Sequence, residues 1–143
     1  MLRSCLLAWA LLLVTTHAFA DKTYPPQKVI YHINYSDPSR LAATFTNIRN
    51  HIQTVGEGNI DLSAVIHGKA IEYFISAKQD KTKQVTLDTL RLNGTRFIIC
   101  GNTLDAYRIT REQLYDVNAE DMVQAGLPEI VFLQQQGFVY VRP

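Results

Sequence analysis

Cysteine is scarce: Cys5 and Cys100 are the two in 143 residues. Cys5 falls inside an N-terminal stretch with the features of a removable leader, so cleavage leaves Cys100 alone and no disulfide within the chain. Such a thiol is buried and inert, paired between chains, or there to react. Charge of one sign is also lacking: Lys and Arg number 14 against 13 Asp and Glu, and losing Arg3 with the leader makes them equal. Like charges do not run together, which excludes a nucleic-acid footprint or a polybasic membrane patch. No apolar run reaches the roughly 20 residues of a membrane span. There is no G-x-G-x-x-G, Walker A or G-x-S-x-G motif and no pair of carboxylates at helical spacing on a pocket, so hydride transfer, nucleotide hydrolysis and serine-hydrolase chemistry have no support. C-x-x-C and H-x-x-x-H pairs are missing as well; no metal site and no cofactor are expected. Internal repeats and low-complexity segments are absent.

What is present starts with an address. Arg3 supplies a positive segment, Leu6 to Val14 an apolar one, and Ala18-Phe19-Ala20 an A-x-A cleavage site, the order of a secretory signal peptide. Residues 1–20 are therefore expected to be cleaved from an exported, periplasmic protein that has no membrane attachment afterwards. Residues 21–27, with Pro25-Pro26, are an extended lead-in, and 28–143 fit one domain, long enough to bury a core without disulfides.

Within that domain Lys28 to Tyr35 is a continuous β-branched and aromatic run, the mark of a strand covered on both faces. Asp37 as N-cap and Pro38 at the first helical position start a helix, whose apolar stripe is Leu41, Phe45, Ile48, Ile52 and Val55. A second strand runs from Ile60 to His67. A short helix is expected over Ala70–Ile75, then a charged loop from Gln79 to Gln84 and a helix from Val85 to Leu92. The third strand is Thr95 to Cys100, with a short helix over Leu104–Ile109. A helix from Asn118 to Gln135, kinked or broken at Gly126 and Pro128, and a last strand over Gly137–Val141 complete the chain. Strands alternating with helices at this spacing predict parallel βαβ units with helices on both faces.

The stretch from Thr95 to Leu104 organises the rest. An apolar strand ends in Cys100, and Gly101-Asn102-Thr103 turns the chain towards a helix, the corner where open α/β sheets place their chemistry. Asn102 or Thr103 is expected to cap that helix and leave its free N–H groups beside the sulfur, a setting that favours a thiolate. If the strands are parallel, Asn34, His67 and Cys100 end three of them at one edge. A cysteine with a nearby imidazole has the parts of an activated nucleophile; alternatively His67 bonds its own loop, and Cys100 only finishes a core strand. His32, sharing a face with Asn34, reads as a satisfied core histidine, and His51 is given no role.

Val65-Ile66-His67-Gly68, Phe97-Ile98-Ile99-Cys100-Gly101-Asn102, the opening strand Lys28 to Asn34 and the closing pattern Val131 to Val141 together resemble the DsrE/DsrF-like family, which includes the TusD and YchN proteins. The resemblance implies a three-layer α/β/α sandwich with a mainly parallel sheet of about five strands and a homo-oligomer, trimer or hexamer. It also implies that Cys100 matches the cysteine that carries persulfide sulfur in the family's sulfur-relay members, with Asn34, His67, Gly68, Gly101 and Asn102 around it. The leader departs from those cytoplasmic members. Two functions follow as expectations: an exported, thiol-dependent sulfur carrier that meets a donor or acceptor protein or a small sulfur compound, or a non-catalytic oligomeric binding module in which Cys100 is packing.

Overall fold

The computed structural model describes residues 22–143; the leader expected over residues 1–20 lies outside them. Five parallel strands form one sheet in the order β4-β3-β2-β1-β5. They are β1 (Gln27–Ile33), β2 (Ile60–Ile66), β3 (Thr95–Cys100), β4 (Met122–Val123) and β5 (Val139–Val141). The helices are α1 (Pro38–Val55), α2 (Ile71–Ala77), α3 (Lys81–Leu92), α4 (Gly101–Tyr107) and α5 (Gly126–Gln135). Among the described residues no helix is long and apolar enough to cross a membrane.

Alternation along the strands divides the interior in two. Val29, Tyr31 and Ile33, Leu62, Ala64 and Ile66, and Phe97 and Ile99 face α1, α2 and α3. The opposite parity, Ile30, Val65 and Ile98, meets Ile130 and Leu133 of α5 and Phe138 after it. The α1 stripe is fully used: Leu41, Phe45, Ile48, Ile52 and Val55 are all buried, each contributing about 2 kcal/mol of apolar burial. The three-layer α/β/α architecture is therefore lopsided, with one ten-residue helix, α5, on the face that three helices do not cover.

Three local expectations are corrected. The charged stretch Lys81–Gln84 is the first turn of α3, not a loop, because the Asp80 carboxylate accepts from the N–H groups of Thr82 and Lys83 at 3.0 and 3.2 Å and so starts the helix early. The single helix expected from Asn118 is a 3₁₀ turn, Ala119–Asp121, opened by reciprocal capping between Asn118 and Asp121 and ended at Met122, which is extended. The two-residue strand β4 follows, and α5 begins afresh at Gly126. Pro128 does not kink α5: it sits in the first turn, where its missing N–H has no helical partner to lose.

Candidate functional site

Register puts the expected residues side by side. Ile33 pairs with Ile66 and Ile66 with Ile99, so the next residues, Asn34, His67 and Cys100, stand level along the carboxyl edge of β1, β2 and β3. Cys100 is 6 % exposed and is itself the N-cap of α4, with no side-chain cap. Asn102 and Thr103, expected as caps, lie inside the helix and serve as ties. The Asn102 N–H donates to the Gln124 carbonyl at 3.0 Å, and its Oδ1 accepts from Gln124 Nε2 at 2.6 Å. Thr103 Oγ1 accepts from the Gly68 N–H at 2.9 Å, which locks the turn after His67 onto α4. Gly68 holds φ at +55°, a left-handed conformation that costs other residues about 1 kcal/mol or more. Gly101 lets β4 pass: a β-carbon there would lie 3.2 Å from the Val123 carbonyl oxygen.

Gly126 completes the corner. A β-carbon on it would sit 3.5 Å from Cys100 Cβ and 3.5 Å from His67 Cβ, so it keeps a gap between the two. That gap opens into a cleft of about 490 Å³, lined by His67, Cys100, Thr103, Tyr107, Leu127 and Pro128 among others and by no Asp, Glu, Lys or Arg. A small thiol compound or the tip of a partner loop fits such a volume.

His67 does not stand alone. Its Nε2 lies 2.5 Å from Nε2 of His32, the ring centroids 4.8 Å apart and the planes 23° from parallel, and His32 Nδ1 lies 2.6 Å from the Tyr140 hydroxyl. Burial, with the charges of His67 and Arg142 adding, pushes the His32 pKa down to about 4. Burial and Arg142 also lower that of His67. At neutral pH both rings are thus uncharged and one proton bridges the two Nε2 atoms; a second would set two N–H groups against each other. Asn34 turns away from the cleft, its Oδ1 accepting from Arg142 Nη2 at 2.8 Å. His51 bonds Tyr31 and Gln27, a structural role. Among the described residues no three His, Cys, Asp or Glu side chains converge to hold a metal. A larger groove of about 720 Å³ between α1, α2 and α3 is lined by no cysteine or histidine, so the chemistry points to the smaller one.

Gly126, Tyr140 and Arg142 escaped the reading of the sequence. The shared face of His32 and Asn34 was visible there, but linking them to Tyr140 and Arg142 needs β5 beside β1, and chain order does not give that neighbour.

Residues 27–143 match the DsrE/DsrF-like family model. No curated protein matches the chain. Among solved structures, a protein of unknown function from Methanobacterium thermoautotrophicum is similar at 26 % identity and a TM-score of 0.71, over 82 % of this chain and 99 % of that one.

Proposed function

The chain belongs to the DsrE/DsrF-like family, and from that premise we propose that it is an exported sulfur-handling protein whose Cys100 thiol carries sulfur as a persulfide. The observation behind the reading is the pairing of Cys100 and His67 across Gly126 in one cleft. The Cys100 thiolate attacks a sulfane sulfur of a polysulfide or of a partner's persulfide. One S–S bond forms, the donor's S–S bond breaks, and its electron pair leaves on the shortened donor. In the reverse half, an acceptor thiolate attacks the outer sulfur and the electron pair returns to Cys100. Sulfur is held covalently, so the step needs no cofactor. The tie from Thr103 to Gly68 keeps the His67 turn in place beside the thiol.

Export rests on Arg3, the apolar Leu6–Val14 and Ala18-Phe19-Ala20. It restricts donors and acceptors to those met outside the cytoplasm. Self-association belongs to the same proposal: Leu127, Val131 and Phe132 of α5 and Val139 of β5 are more than half exposed on the thinly covered face, an apolar patch that a second copy would bury. Light scattering reads it directly, a monomer at micromolar concentration removing that part.

The second reading, a binding module with an inert thiol, draws on the low exposure of Cys100. Alkylation of the folded protein by a small neutral reagent separates the two, with Cys100→Ser as control. Modification under native conditions supports the carrier. A thiol that reacts only after unfolding leaves the binding module.

A further inference from the structure

Three side chains link the Cys100 cleft to the surface at β5, and the carrier reading gives them no task. They are His67, His32 and Tyr140, joined at 2.5 Å between the Nε2 atoms and 2.6 Å from His32 Nδ1 to the Tyr140 oxygen. Tyr140 is 39 % exposed, whereas His32 is buried at 7 %. With Nε2 of His67 committed to His32, Nδ1 is the ring nitrogen left for the cleft that His67 shares with Cys100. His32 is bonded through both ring nitrogens, to His67 and to Tyr140, and His67 lines the same cleft as the thiol of Cys100, so the three side chains run from that cleft to the surface.

We propose, resting on the carrier reading of Cys100, that His67, His32 and Tyr140 form a proton relay between the thiol and solvent. When the thiol ionises, its proton passes to Nδ1 of His67. The Nε2 proton of His67 moves to Nε2 of His32, the Nδ1 proton of His32 moves to the Tyr140 oxygen, and the hydroxyl proton leaves to water. One proton enters and one departs; all three side chains end neutral, the two histidines in the opposite tautomers and the tyrosine unchanged. Run backwards, the same hops reprotonate Cys100 once sulfur has left. His67 is the group that meets the reacting sulfur; His32 and Tyr140 act through it and are positioning residues.

The surroundings suit transfer rather than storage of charge. The charged or titratable groups about the histidine pair are Arg142 and Tyr140 from the end of the chain, Cys100 from β3 and Tyr107 from α4. α5 presents Gly126, Leu127 and Pro128, none of them charged. A neutral pair beside a guanidinium resists holding an extra proton, so a proton arriving at one end leaves at the other.

The test is the rate of sulfur uptake from polysulfide against pH, in water and in deuterium oxide, for the mature protein from residue 21 onward, in which Cys100 is the one cysteine, and for its Tyr140→Phe, His32→Gln and Cys100→Ser variants. Tyr140→Phe keeps the ring packed on His32 and removes only the exit. The relay predicts that its uptake near neutral pH slows on the order of a hundredfold, the lower end of positioned proton transfer. It also predicts a shifted pH profile, a smaller solvent isotope effect and partial rescue by added imidazole. The final yield of one sulfur per chain stays that of the unmodified protein, while the melting temperature falls modestly because His32 Nδ1 loses its partner. Uptake by Tyr140→Phe and His32→Gln with unchanged rate, pH profile and isotope effect overturns the relay while Cys100 remains a carrier. Equal uptake by Cys100→Ser overturns the carrier reading and the relay with it.

Discussion

The β-carbons of His67 and Cys100 flank Gly126, each 3.5 Å from where a side chain on that glycine would begin. The space that a hydrogen leaves at position 126 is therefore the space in which an imidazole and a thiol share a cleft. Filling it tests the cleft without substituting either group. In Gly126→Ala the new methyl meets Val65, Cys100 and His67 at 3.4 to 3.5 Å, ordinary contact distance, so stability should change by less than about 1 kcal/mol. Alkylation of Cys100 by a bulky maleimide should slow more than alkylation by iodoacetamide. In Gly126→Leu both should slow. Unchanged rates for both reagents in both variants would show that the thiol is reached from elsewhere.

Thr103→Val keeps the shape of the α4 side chain and removes the acceptor for the Gly68 N–H. That N–H is then left without its partner, at a cost of about 1 to 2 kcal/mol. Denaturant midpoints measure the loss, and Gly68→Ala, strained at φ +55°, should fall in the same direction.

Stability should also fall with acidity in a defined window. His32 titrates near 6.5 when unfolded and near 4 in the fold. Above 6.5 it is neutral in both states and its full share of stability is present. As pH falls from 6.5 towards 4 the unfolded chain takes up the proton first and stability is lost, by up to about 3 kcal/mol. Urea titrations at pH 7, 5.5 and 4.5 should show this slope, and His32→Gln should flatten it. His67, shifted the same way, leaves some slope behind.

Asp80→Ala removes the acceptor for the Thr82 and Lys83 N–H groups. It should cost about 1 kcal/mol, the usual worth of an N-cap, and fray the first turn of α3 as read by amide exchange. The thiol chemistry, on the other side of the sheet, should not change.

Much of this was readable from residue order. The α1 stripe, the Asp37–Pro38 start and the strand Thr95–Cys100 follow from local periodicity and capping, which act within a few residues and so leave marks in sequence. The equal level of Asn34, His67 and Cys100 followed once the strands were taken as parallel. What stayed hidden depends on neighbours distant in the chain. Strand β4 has two residues and no periodicity to show. The pairing of β5 with β1, which brings Tyr140 to His32 and Arg142 to Asn34, is a matter of sheet order. Gly126 looked like a helix breaker because its sequence context is local; its role is to make room for residues of β2 and β3.

The most direct measurement is the intact mass of the folded protein after brief exposure to polysulfide and removal of excess, beside Cys100→Ser. A sulfur carrier gains the mass of one sulfur atom per chain, loses it on reduction by dithiothreitol, and shows neither change when Cys100 is serine. A folded protein that gains no sulfur, while the unfolded chain does, would contradict the account and make Cys100 the last packed residue of its strand.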